Sequence, residues 1–165
     1  MKDRLISEII KEMKIVYDVI DFKTKNYYHT ELQKKLTSMA KTFNLEGVIE
    51  YRINCIKGDE GRKGKIDVVW LNRDGRPVVA IEVESALRQK SVMKLMSCNA
   101  IYKVYLYYGR STTWDFKGID KGLVENSGVL FVHEPMELGR NKKYGIDRQE
   151  LLSRLRELPL WICLK

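Results

Sequence analysis

Lys65-Ile-Asp-Val-Val-Trp-Leu-Asn-Arg-Asp-Gly-Arg-Pro-Val-Val-Ala-Ile-Glu-Val-Glu84 decides the fold, because it sets three acids inside two apolar, β-branched runs. The runs, 66–71 and 77–84, are of strand length, and Asp74-Gly75 between them is a two-residue hairpin signal. They are expected to pair as antiparallel neighbours. With Asp74 and Gly75 at the central turn positions, Arg73 faces Arg76 and Asp67 lies directly opposite Glu82. Strand alternation puts Glu84 on the side of Glu82, and turns Val68, Trp70, Val79, Ile81 and Val83 to the other face. Val69, Leu71, Val78 and Ala80 share the acid face and make it apolar beyond the acids, as in a covered central sheet.

Three carboxylates on one sheet face repel one another, and burial strengthens the repulsion unless a proton or a cation intervenes. A hard divalent cation held by carboxylate oxygens, Mg²⁺ or Mn²⁺, resolves the conflict, with Asp67, Glu82 and Glu84 as its expected ligands. The competing reading is an edge hairpin whose acids look at water. The apolar neighbours on the same face weigh against it.

Gly64-Lys-Ile-Asp67, a hairpin turn, Val79-Ala-Ile-Glu82-Val-Glu84 and a following helix together resemble the core of the restriction-endonuclease-like, or PD-(D/E)XK, nuclease superfamily. The likeness in element order covers residues 27–133, and the motif itself is three acids and a hairpin. What the resemblance implies is a strand bearing an Asp, an acid-x-Lys motif on the next strand, and Mg²⁺-dependent phosphodiester hydrolysis. Asp67 matches the first acid and Glu82 the second. Glu84 stands where the family has lysine. Some restriction endonucleases of the superfamily also carry Glu there, and others supply the lysine from the following helix, where this chain offers Lys90 and Lys94. Lys90, nearer the helix start, is the expected catalytic lysine. A helix ahead of the first strand often adds an acid in this family, and Glu31 is the candidate, although an acid in a first helical turn is also favoured by the backbone dipole.

The 165 residues suit one domain, and 44% hydrophobic content is ordinary for a globular protein. Cys55, Cys98 and Cys163 are far apart and form no C-x-x-C pair, which speaks against a disulfide framework or a zinc site and for reduced thiols in the cytoplasm. No apolar run has the length of a membrane span, and the acid-containing start does not read as a secretory signal. Thirty Lys plus Arg against 22 Asp plus Glu give a formal charge of +8. That excess favours an anionic partner, nucleic acid and DNA first, and it coexists with an acid cluster as a nuclease requires.

Along the chain, residues 3–21 carry an apolar stripe at helical spacing, an accessory helix that packs on the core or pairs with a second copy. Residues 21–28 read as a polar connection, and Thr30-Glu-Leu-Gln33 as the capping box of a second helix. His29 reads as a surface or capping residue. Residues 48–56 alternate as the first strand, and Glu50 approaches the acids if their face is shared. The Gly-rich loop 57–65 places Arg62, Lys63 and Lys65 beside the Asp67 strand, and with Lys94 they are the expected phosphate contacts. Ser85 can cap the helix after Glu84. Residues 101–108 and 128–133 read as strands, the first of them parallel to the Glu82 strand after its crossover helix. A short helix over 117–124, a basic turn over 139–145, a terminal helix over 147–158 and an apolar tail at Trp161, Ile162 and Leu164 complete the reading.

The expectation is therefore a single α/β domain over 1–165, with the motif core at 47–133: a restriction-endonuclease-like three-layer fold with a central mixed sheet flanked by helices. Its expected activity is Mg²⁺- or Mn²⁺-dependent hydrolysis of DNA in the cytoplasm. A non-catalytic nucleic-acid-binding protein on the same fold, and a homodimeric assembly protein, are the alternatives.

Overall fold

The computed structural model describes residues 2–19, 25–54, 56, 61–110, 122 and 126–136. Helix α1 (Lys2–Val19) buries Leu5, Ile9, Met13 and Val16, the stripe that 3.6-residue periodicity predicts. Helix α2 (Lys25–Met39) begins well ahead of the expected Thr30 cap. Thr30 is instead inside the helix and its Oγ1 donates to Asn26 O at 3.0 Å. The reason is apolar: Tyr28 continues the Leu32 and Leu36 stripe backwards by one turn, is fully buried, and donates its hydroxyl to Met13 O on α1 at 3.2 Å. Burying that ring outweighs the local preference for a cap at Thr30.

Five strands follow in one sheet, ordered as in the sequence: β1 (Glu46–Ile53), β2 (Gly64–Leu71), β3 (Pro77–Glu84), β4 (Tyr102–Tyr107) and β5 (Val129–His133). β1 starts two residues before the expected 48 and stops short of 56. β1, β2 and β3 form an antiparallel meander, and β4 and β5 add in parallel, which makes the sheet mixed. Helix α3 (Gln89–Ser97) links β3 to β4, since parallel neighbours need a crossover that leaves the sheet. Its N-cap position is Arg88, with no side-chain cap, so Ser85 does not cap it.

The two sheet faces bury different helices. Val68, Trp70, Val79, Ile81, Val83, Val104 and Leu106 pack with α1 and α2, whereas Val69, Ala80, Tyr105 and Val129 pack with Val92 and Leu95 of α3. This is an α/β fold with helices on both sides of a five-stranded mixed sheet. The Trp70 indole is anchored by donation from Nε1 to Leu36 O at 3.0 Å, which satisfies its one polar atom inside the core.

The hairpin differs from the expected two-residue turn. Asn72 N donates to Arg76 O and Gly75 N to Asn72 O, each at 3.0 Å, so Arg73, Asp74 and Gly75 form a three-residue loop. Asn72 Oδ1 ties the loop by accepting from Asp74 N and Arg76 N, and Gly75 takes φ +73°, a left-handed conformation that glycine adopts without a Cβ penalty. Leu71 then faces Pro77, and an irregularity before Trp70 returns the register to Trp70 opposite Val79 and Val68 opposite Ile81. The extra residue, Val78, joins the α1/α2 core rather than the acid face. The longer loop and the bulge cancel, which is why the register as far as Val68 and Ile81 is the expected one.

A second irregularity lies at the acids themselves. Ile49 faces Val68 and Tyr51 faces Ile66, so Glu50 lies opposite Asp67, and Glu50 has φ +56°. Ile66 and Val68, two residues apart, are buried on opposite faces of the sheet. A regular strand keeps such residues on one face. β1 and β2 therefore turn over at Glu50 and Asp67.

α2 approaches β1 at Gly47, where a Cβ would lie 2.1 Å from Thr37 O. Because the obstacle is helix backbone, Gly47→Ala is expected to lower stability by about 1–3 kcal/mol, as overpacking does. Urea unfolding of the two proteins checks this; equal midpoints would mean that α2 can shift away from β1.

Candidate functional site

The ladder between β2 and β3 runs from the turn as far as Val68 and Ile81. One residue further, Asp67 Oδ2 accepts from Val83 N at 2.8 Å, so a carboxylate takes the place of a backbone ladder partner. The bond fixes one Asp67 oxygen against β3. The other, Oδ1, faces His29 Nε2 of α2 at 3.8 Å, too far for a hydrogen bond.

Glu82, on the central strand β3 between β2 and β4, has no solvent exposure. Neither of its oxygens accepts an aligned hydrogen bond, although Oε2 meets Lys94 Nζ in an ion pair at 2.5 Å. Burial, then the Asp67 carboxylate, push the Glu82 carboxyl up to about 8 from its ordinary 4.5, against the opposing pull of Lys94. Lys94 comes from α3, with 14% of its side chain exposed, and also donates to Lys65 O at 2.8 Å. Its ammonium is thus held between Glu82 and the start of β2.

Glu84 has its oxygens engaged by α3 and its approach. Ser91 Oγ donates to Oε1 at 2.5 Å, and Arg88 Nε lies 3.5 Å from Oε2. Burial raises its carboxyl, and Ser91 and Arg88 oppose the shift. The loop between β3 and α3 is pinned from β4, where the Tyr105 hydroxyl accepts from Arg88 N at 2.8 Å and donates to Ala86 O at 3.1 Å. Tyr108 lies close enough for the Glu84 and Asp67 charges to raise its phenol, after burial, with a Ser85 hydrogen bond opposing them.

The sequence-predicted residues divide accordingly. Asp67, Glu82, Glu84 and Lys94 are brought together at the place where β2 parts from β3. Lys90 is exposed, and Lys94, assigned from the sequence to phosphate contact, is the lysine that reaches the acids. Glu31 turns away: its carboxylate pairs with Lys34 at 2.6 Å, and at 100° per residue a position two along from His29 points to the other side of α2. Glu50 pairs with Lys65 at 2.8 Å, which occupies both outside the acid cluster. Arg62 and Lys63 are exposed on the approach to β2. The expected short helix at 117–124, basic turn at 139–145, terminal helix at 147–158 and apolar tail lie outside the described residues, except Gly122. His29 and Ser91 were not foreseen as site residues. The spacing of Tyr28, Leu32 and Leu36 would have placed His29 inside the helix rather than ahead of it.

Among the described residues, no group of three or more Asp, Glu, His or Cys side chains is placed to hold a metal ion. The donor chemistry nevertheless fits a hard cation: Asp67 Oδ1 and Glu82 Oε1 are carboxylate oxygens without hydrogen-bond donors, and Glu82 Oε1 is buried. Comparisons of the chain with protein-family models, curated proteins and solved structures gave no match. No helix among the described residues is long and apolar enough to cross a membrane.

The raised carboxyl of Glu82 has a stability consequence in the metal-free protein. Between its ordinary 4.5 and about 8 the folded chain holds a proton that the unfolded chain has released. Stability is therefore expected to fall as pH rises through that window and to level above it. Glu82→Gln removes this part of the fall, leaving the smaller one due to Glu84. Urea midpoints in EDTA at pH 5.5, 7 and 8.5 test it, and parallel pH profiles for the two proteins would show that Glu82 is ionised throughout.

Proposed function

We propose that the chain is a divalent-metal-dependent nuclease acting on DNA, built on a restriction-endonuclease-like version of this α/β fold. The observation that carries the reading is the fully buried Glu82 carboxylate beside Asp67 at the parting of two strands, with a lysine ammonium 2.5 Å from one oxygen and no donor on the other. A buried acid pair of this kind is costly to stability, and such arrangements are concentrated at functional sites. The +8 formal charge adds a long-range attraction for a polyanion.

Asp67 Oδ1 and Glu82 are the residues that would hold Mg²⁺ or Mn²⁺. Such an ion supplies charge neutralisation at the scissile phosphate and lowers the pKa of an attacking water. The chain's own groups do the positioning. Val83 N–H fixes the Asp67 carboxylate through Oδ2, leaving Oδ1 for the site. Lys94 stands in for the lysine that the family motif carries at the position of Glu84, and its ammonium offers positive charge to the phosphate oxygens as negative charge builds on them. Glu84, with Ser91 and Arg88 on its two oxygens, holds the first turn of α3 so that Lys94, one turn on, meets Glu82. Arg62 and Lys63, exposed on the approach to β2, would meet the DNA backbone. Lys90, exposed on α3, belongs with them rather than with the reacting groups.

The second reading, a nucleic-acid-binding protein on the same fold without hydrolysis, is favoured by one feature: Lys94 already supplies Glu82 with a cation. Cleavage decides between the two. Supercoiled plasmid, linear duplex and single-stranded DNA are incubated with the protein in Mg²⁺ or Mn²⁺, with EDTA as control. Metal-dependent cutting is expected, reduced at least about 100-fold in Asp67→Asn, Glu82→Gln and Lys94→Met, with unfolding transitions showing that each variant is folded. Salt-sensitive binding without cutting would establish the second reading. Undiminished cutting by all three variants would place the activity elsewhere.

A further inference from the structure

We infer that the nucleic acid this protein takes is single-stranded DNA, led over the edge of the sheet at β1 with one base stacked on Tyr51 and a neighbouring phosphate held by Arg52. The inference rests on the reading of the chain as a protein that cuts or binds DNA, and it names the form of that DNA.

β1 is an edge strand: among the described residues it pairs with β2 alone. Its far end lies beside the acids, with Tyr51 facing Ile66, one pair on from Glu50 and Asp67, and Arg52 facing Lys65. The Tyr51 ring is half-buried against the cluster on the α3 side of the sheet, which also holds Ile66, and no hydrogen bond ties its hydroxyl to another described residue. Arg52 and Lys65 are both exposed, and like charges directly opposite one another on a sheet are destabilising. Glu50 relieves Lys65 at 2.8 Å, but among the described residues no acid pairs with Arg52. Lysines on the helices of the other face differ in this respect: Lys11, Lys14, Lys34 and Lys35 of α1 and α2 are each paired with an acid. The uncompensated cation thus stands where a polyanion would pass the acids, next to an aromatic ring that keeps part of its surface in solvent.

Three features select a single strand. Tyr51 and Arg52 are consecutive in β1 and so point to opposite faces of the sheet, and only a chain flexible enough to fold across the edge touches both. A duplex is stiff, with a persistence length of about 50 nm, and keeps its bases stacked inside, whereas an unpaired base offers its face to an aromatic side chain. The acids are also recessed, with 14% of the Asp67 side chain, 13% of Glu84 and 1% of Glu82 exposed, so a phosphate has to be brought down to them by a backbone that bends.

Fluorescence anisotropy in EDTA, which keeps binding apart from cutting, compares a short labelled DNA strand of mixed sequence with the same strand annealed as a blunt duplex, each titrated with the full chain. The single strand is expected to bind at least about 10-fold more tightly than the duplex. Tyr51→Leu, which keeps an apolar side chain against the α3-side cluster, should weaken single-strand binding about 10-fold through loss of one stacked base, while Tyr51→Trp holds it within about 2-fold. Arg52→Gln should lower the slope of log K against log salt for the single strand by roughly 0.7, one phosphate contact fewer, and Lys35→Gln should leave that slope unchanged. Photocrosslinking of the wild type to a strand carrying iododeoxyuridine, which needs no variant to fold, should label Tyr51. Duplex binding as tight as single-strand binding, single-strand binding indifferent to Tyr51→Leu, or crosslinks only at other residues would overturn the inference, whatever the cleavage assay shows. Tyr51-dependent binding of the single strand without metal-dependent cutting would sustain it and remove hydrolysis. Absence of binding to either form would overturn this inference and the DNA reading together.

Discussion

A carboxylate with no access to water sits on the central strand of the sheet, and much of the structure around it is arranged to make that tolerable. Burying an unpaired charge costs several kcal/mol in a protein interior, and a paired one remains expensive unless its remaining lone pairs are satisfied. Glu82 has the Lys94 ammonium on one oxygen and no donor on the other. α3 must therefore be placed so that Lys94 arrives, and the Ser91 to Glu84 contact together with the Tyr105 clamp on residues 86–88 places it. The two strands that carry the acids must also part, and the Asp67 bond to Val83 N spans the gap where they do.

The local irregularities belong to the same arrangement. Glu50, at φ +56°, is a non-glycine residue in the left-handed region, an arrangement that costs about 1–3 kcal/mol and persists only where its surroundings impose it. It stands opposite Asp67, at the point where β1 and β2 turn over. A regular strand would aim Asp67 squarely at one face. The turned-over strand sends its carboxylate to the backbone of β3 and toward His29 of α2.

Some of this was legible in the residues. Val and Ile at alternate positions, broken by acids, identify β2 and β3 and their two faces, and parity along a strand is robust to small errors at its ends. The register as far as Val68 opposite Ile81 followed from a turn of the wrong length, rescued by the bulge at Val78, which no local signal announces. Helix starts were less legible, and they matter more to the site. Moving the start of α2 from Thr30 back to Lys25 brought His29 from a surface or capping position ahead of the helix onto the helix face beside Asp67. Placing the cap of α3 at Ser85 made Lys90 the nearer lysine; with the helix starting at Gln89, Lys94 reaches Glu82.

By itself the sequence determined the α/β class, the antiparallel pair and the parallel strand after the crossover helix. These rest on period-two alternation and on connection length, which are local properties of the chain. Tertiary structure alone decided which lysine meets Glu82, that Glu84 is engaged by Ser91 and Arg88, that Glu31 turns to Lys34, and that His29 stands by Asp67. Each depends on the rotation and height of a helix against the sheet, where a one-residue shift turns a side chain by about 100°. That rotation is set by what the helix buries, Tyr28 for α2 and Val92 with Leu95 for α3, and hence by residues far from it in the chain.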